Sequence, residues 1–172
     1  MARFTGSVLL DTNTIIEVHR VSGWRALSSG YALETVETVV METHTGFQRR
    51  DPAQQIDQGA LRASLRKVHQ VNKLQEAKLR LKLLEEVIDL DAGEFALWAH
   101  MMDREDAWML CGPDKASLRF GVRQGLRARM ISLEQLLGDA GLQRTRPSLR
   151  DNFTKAWLDR VLGEFAIEGI GR

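Results

Sequence analysis

The chain has 172 residues, 44% of them hydrophobic, and carries 24 Lys plus Arg against 23 Asp plus Glu, a formal net charge of +1. This is the length of one domain with enough apolar mass for a core, and the charge balance excludes any global attraction to nucleic acid. The lone Cys111 excludes an internal disulfide, and no apolar run is long enough to span a membrane. With no secretory pattern at the start of the sequence, a soluble, cytoplasmic protein without a membrane partner is expected.

Ser7-Val8-Leu9-Leu10 is a short apolar run that stops at Asp11-Thr12-Asn13, residues that favour caps and turns, and it reads as a buried strand feeding a helix. That helix carries Ile15, Ile16, Val18, Trp24 and Leu27 and is expected to end in a loop at Ser28-Ser29-Gly30. Tyr31 to Val36 reads as a second strand, and Glu37 to Thr45 as a second helix stopped by Gly46. From Gly59 to Ile88 the apolar positions Leu61, Leu65, Val68, Val71, Leu74, Ala77, Leu81 and Leu84 recur at three- and four-residue steps, which predicts one long helix or two in series.

After Asp91-Ala92-Gly93 a helix is expected through Trp98 to Asp103, then a strand over Ala107 to Cys111. Lys115 to Gln124 reads as a helix ended by Gly125, Ala128 to Ile131 as a strand, and Ser132 to Leu137 as a capped helix. Past Pro147 the spacing of Leu149, Phe153, Trp157, Val161 and Phe165 predicts an amphipathic terminal helix, docked on the core or on a second copy of the chain. Alternating strands and helices predict an α/β fold with a parallel sheet, whose ligands bind at the carboxyl ends of the strands. The expected organisation is a unit over residues 1–140, with a helical segment at about 47–90, and a helical extension over 141–172.

Two acids, Asp11 and Asp114, fall at predicted strand ends, and two more, Glu42 and Glu94, on predicted helices. Mg²⁺ and Mn²⁺ prefer oxygen ligands and keep several waters, so a phosphodiester-cleaving site needs a few convergent carboxylates rather than a closed cage. Each acid also has a plain structural reading. Asp11 and Asp114 suit helix caps or turns, Glu42 a solvated helix position, and Glu94 a helix's first turn.

In order and context these residues resemble motifs of the PIN-domain family of metal-dependent ribonucleases, over roughly residues 7 to 140. Val8-Leu9-Leu10-Asp11-Thr12-Asn13 resembles the family's first motif, and Val39-Val40-Met41-Glu42 followed by Gly46 resembles the second. Leu90-Asp91-Ala92-Gly93-Glu94 is similar to the glycine-glutamate entry to a later helix in one branch, and Leu110-Cys111-Gly112-Pro113-Asp114 to the last motif. The resemblance implies an α/β/α sandwich of PIN-domain type with an additional C-terminal helix. It also implies that Asp11, Glu42, Glu94 and Asp114 hold Mg²⁺ or Mn²⁺, with Thr12 and Asn13 steadying the first acid. The sequence departs from the family at Ala96, where a second acid is common, and at Gly112-Pro113, where a hydroxyl residue is; Asp91 becomes a rival to Glu94.

Lys115, Arg119 and Arg123 share one helical face beginning beside Asp114 and are candidate phosphate contacts. A second basic run, from Arg62 to Lys82, reads equally as a solvated face. His19, His44, His69 and His100 have no zinc-ligand spacing with Cys111 and read as packing or surface residues. The expected activity is hydrolysis of RNA by metal-activated water, with RNA as the partner. A second copy and an antitoxin-like protein are further candidate partners. The alternative is a catalytically weak binding or scaffold protein on the same fold.

Overall fold

The computed structural model describes residues 3–44, 55–86, 88–145 and 147–170. Strands β1 (Ser7–Leu10), β2 (Ala32–Val36), β3 (Lys67–His69) and β4 (Trp108–Cys111) form one all-parallel sheet in the order β3-β2-β1-β4. Parallel neighbours need crossovers, and helices supply them: α1 (Thr12–Arg20), α2 (Trp24–Gly30), α3 (Glu37–His44), α4 (Gln58–Ser64), α5 (Lys73–Glu86) and α6 (Ala92–Met101), while α7 (Lys115–Arg123) follows the last strand. Helices α8 (Leu133–Asp139) and α9 (Lys155–Ile170) complete the described chain. Val8, Leu9 and Leu10 are fully buried, so both faces of the central strand are covered, as the continuous apolar run of a parallel strand requires.

Several elements differ from the sequence reading. The first helix splits at Ser22, which adopts a left-handed φ of 57°, and the Gly23 N–H returns to the Val18 carbonyl at 2.8 Å. The chain then re-enters a helix that runs through Ser28-Ser29-Gly30, where a loop was expected. The Gly59–Ile88 periodicity hides strand β3 between α4 and α5. Its pairs Glu34↔Lys67, Thr35↔Val68 and Val36↔His69, with the Arg66 N–H on the Leu33 carbonyl at 2.8 Å, form the sheet's edge. A three-residue edge strand fits inside a helix-like spacing of Leu65, Val68 and Val71, which is why periodicity misses it. On α5 the expected stripe faces outward: Leu74, Leu81 and Leu84 are 65%, 66% and 77% exposed, whereas Leu79 makes the core contact. Residues 45–54, including Gly46 and the start of the expected 47–90 segment, lie outside the described residues.

The strand expected over Ala128 to Ile131 is a 3-10 turn over Arg127–Arg129 followed by one bridge, Leu110↔Met130. Gly125, at φ 73°, ends α7 and leaves too little chain for a ladder. Met130 packs into a tight place, since a Cβ on Gly121 would lie 1.8 Å from the Met130 Cε and 2.9 Å from the Trp98 ring. Gly121→Ala is therefore expected to destabilise the protein by about 1–3 kcal/mol through overpacking, read as a lower midpoint in urea.

The C-terminal stripe packs within the chain. Phe153, Trp157, Val161 and Phe165 are buried, and α9 lies against α7 and α8. Its approach is tied to α1 by Glu17, fully buried, which accepts from Arg20 Nη2 at 2.5 Å and from the Arg150 N–H at 2.9 Å. Burial pushes the Glu17 carboxyl up, but these bonds and the two arginine charges outweigh it and hold the group below its usual range. No helix among the described residues is long and apolar enough to cross a membrane.

Candidate metal centre

The strand order reverses beside β1: the chain moves outward to β2 and β3 on one side and returns as β4 on the other. The crevice beyond the carboxyl ends of β1 and β4 is thus the place where an open parallel sheet takes ligands. Asp11 leaves β1 directly, and Asp114 follows β4 after Gly112-Pro113.

Three aspartates are fixed there as helix caps. Asp11 Oδ1 accepts from the Thr14 N–H at 2.7 Å, and Asp114 Oδ1 from the Ala116 and Ser117 N–H groups at 2.7 and 3.0 Å. Asp91 Oδ1 accepts from the Glu94 N–H at 2.8 Å while Glu94 Oε2 accepts from the Asp91 N–H at 3.2 Å, a reciprocal capping box. The capping reading and the site reading therefore hold together, because a cap uses one carboxylate oxygen and the amino ends of α1, α6 and α7 add partial positive charge. Glu42, on α3, accepts from Thr12 Oγ1 at 2.5 Å.

Two glycines let these groups approach. A Cβ on Gly93 would lie 2.3 Å from Glu42 Oε2, and one on Gly112 would lie 3.0 Å from Asp11 Oδ2. The acids of α3 and α6, and of β1 and the turn after β4, are close because no side chain intervenes. Trp98 Nε1 donates to Ser117 Oγ at 2.9 Å and holds α6 against α7, so Glu94 and Asp114 keep their relation.

The electrostatics follow from this crowding. Burial, opposed by the bonds from Thr14 and reinforced by the charges of Asp91 and Asp114, pushes the Asp11 carboxyl up to about 7. Glu94 is pushed up to about 8 by burial and by the charges of Asp114 and Asp91. These are oxygen donors that repel one another and that a divalent cation would hold ionised. The fit is to a hard ion. Among the described residues no three of these carboxylates bring oxygens mutually within 4.8 Å.

The structure thus brings Asp11, Glu94, Asp114 and Asp91 into one electrostatic set, with Glu42 joined to it at Gly93 and Thr12. Asp91 and Glu94 bond one another reciprocally at the start of α6. Thr12 serves Glu42, and Asn13 is exposed; Thr14 is the residue that holds Asp11, through its N–H, while its hydroxyl donates to the Cys111 carbonyl at 3.0 Å. The three-residue step from Asp11 to Thr14, that of a cap to its donor, is the signal that could have found it. Of the basic face, Arg119 pairs with Glu168 at 3.1 Å and lies 4.4 Å over the Phe165 ring, and Arg123 donates to the Glu86 carbonyl at 2.6 Å. Lys115 stands exposed beside Asp114. A groove of about 620 Å³, lined by Thr38, Arg80, Leu83, Ile88 and Phe95 among others, opens at Asp91.

Gly93→Ala is expected to weaken Mn²⁺ binding about tenfold or more by displacing Glu42, with stability changed by no more than about 1 kcal/mol, since a helical Gly→Ala is otherwise favourable. Calorimetric titration beside a denaturation curve checks both halves. Models of known protein families give no match to the chain, and characterised proteins give none either.

Proposed function

We propose that the protein is a Mg²⁺- or Mn²⁺-dependent ribonuclease of PIN-domain type, with Asp11, Glu42, Glu94 and Asp114 as the metal-holding acids and Asp91 as their neighbour. The observation that carries this reading is the gathering of buried and half-buried carboxylates at the switch point of a parallel sheet, with glycines at the two closest approaches. An ion bound there supplies polarisation of a phosphate oxygen and a water acidic enough for in-line attack. The chain's own part is placement. Thr14 and Thr12 fix Asp11 and Glu42, the α6 capping box fixes Glu94, and burial with the charges of Asp114 and Asp91 raises the Glu94 carboxyl. Lys115, exposed beside Asp114, would meet a phosphate, and the groove at Asp91 would take the strand off the site. RNA is the proposed partner.

The test is incubation of end-labelled RNA with the purified protein in Mn²⁺ and in EDTA. Fragments formed only with Mn²⁺ support the reading, and intact RNA under both conditions contradicts it. A catalytically weak binding or scaffold protein on the same fold is favoured by one observation, that among the described residues no three of the acids bring oxygens mutually within 4.8 Å, and it would leave RNA uncut with or without Mn²⁺.

A further inference from the structure

A second constellation lies at the other end of α6, six residues and about 9 Å of helix rise beyond Glu94. Glu34, in the middle of β2 and only 4% exposed, faces His69 at the end of β3 and His100 near the end of α6. One ligand atom from each of the three lies within 4.8 Å of the others. The two imidazole rings stack with centroids 3.9 Å apart.

The hydrogen bonds describe a cation position. Glu34 Oε1 accepts from Ser7 Oγ at 2.8 Å, which fixes the carboxylate plane. Glu34 Oε2 pairs with His69 Nε2 at 2.7 Å and accepts from Arg104 Nη1 at 2.7 Å, and the same Nη1 lies 3.4 Å from His100 Nε2. A guanidinium nitrogen thus stands between a carboxylate oxygen and an imidazole nitrogen, two Lewis bases that equally suit a metal. Arg104 has two further partners: Nη2 donates to Ser7 Oγ at 3.2 Å, and Nε and Nη2 pair with Asp106, whose carboxylate is 54% exposed.

We propose that Glu34, His69 and His100 form a transition-metal site of zinc type, separate from the acidic crevice, which Arg104 vacates when the metal enters. Two imidazoles and one carboxylate are a donor set Zn²⁺ accepts, with the fourth position for water, whereas Mg²⁺ would favour the all-oxygen crevice. Ser7 is the outer partner that orients the carboxylate. Metal at this position would replace the contact between His69 Nε2 and Glu34 Oε2. Because the ligands come from β2, β3 and α6, the metal would clamp the short edge strand to the sheet.

The experiment is titration of ¹⁵N-histidine-labelled protein with Zn²⁺, following the imidazole signals of His69 and His100, in the parent, in Asp11→Asn, and in His100→Phe, which keeps a ring stacked on His69. Expected are shifts complete near one equivalent in the parent and in Asp11→Asn, with affinity at least about tenfold weaker in His100→Phe. Arg104→Met, which removes the competing cation, is expected to bind more tightly than the parent. Unmoved His69 and His100 signals in the parent overturn the site, as does parent-like affinity in His100→Phe; weaker binding in Arg104→Met overturns the displacement of Arg104. The Asp11→Asn arm keeps this result independent of the proposed ribonuclease.

Discussion

Changing Asp11 to Asn, or Asp114 to Asn, is expected to lower Mn²⁺-dependent RNA cleavage by about hundredfold or more, beyond the usual loss on altering a partner one shell further out. Both substitutions spare the fold for the same physical reason. Asp11 Oδ1 caps α1 and Asp114 Oδ1 caps α7, and the amide oxygen of Asn accepts the same backbone N–H groups. What is lost is the negative charge and one carboxylate oxygen that the proposed site would offer a metal. Initial rates on labelled RNA, beside far-ultraviolet circular dichroism of each variant, separate the two effects. Parent-like cleavage by either variant would remove that residue from the site.

Metal-free protein is expected to lose stability as pH rises from about 7 to 9, by roughly 2 kcal/mol. The sign follows from Asp11 and Glu94, whose folded values, up to about 7 and about 8, exceed the ordinary 3.8 and 4.5. Over this range the unfolded chain has both groups ionised while the folded chain still holds protons on them, so stability present below the ordinary values is lost as pH climbs through the raised ones. Glu17, Glu34 and His100 are shifted downward, and their contributions change at lower pH, outside this window. The double variant Asp11→Asn, Glu94→Gln should be nearly flat over the same range. With saturating Mn²⁺ the slope should vanish, because the ion displaces the protons that the crowded carboxyls otherwise retain and the unfolded chain holds none there. Urea denaturation at several pH values checks it; a parent profile as flat as the double variant's would contradict the crowding of these two acids.

The acids were legible where local and global signals agree. An apolar run stopping at Asp11, and another stopping just before Asp114, mark strand ends and helix caps at once, and in a parallel sheet those places are also where ligands bind. The choice between Asp91 and Glu94 could not be made from spacing because the capping box needs both. Thr12 was assigned to Asp11 by adjacency, but the first residue of α1 points its hydroxyl to Glu42, thirty positions away in sequence, and only the packed fold brings α3 there. Strand β3 escaped for a similar reason. Its three residues are held by pairing with β2 rather than by any pattern of their own, and the neighbouring apolar positions continue a helical step. The break at Ser22 had no glycine at the left-handed position to announce it. The Glu34, His69 and His100 cluster draws on three separate elements, so no motif spacing could disclose it, and scattered histidines were read as packing.

Thermal unfolding of the parent and of Asp11→Asn, each with and without millimolar Mn²⁺, tests the central claim most directly. A ligand that binds only the folded state must raise the midpoint. Relief of a buried charge in a crowded carboxylate cluster should leave the metal-free Asn variant at least as stable as the parent. The acidic metal centre predicts a rise with Mn²⁺ in the parent and none in Asp11→Asn, whose metal-free midpoint equals or exceeds that of the parent. An equal rise in both proteins, or no rise in the parent, would contradict it.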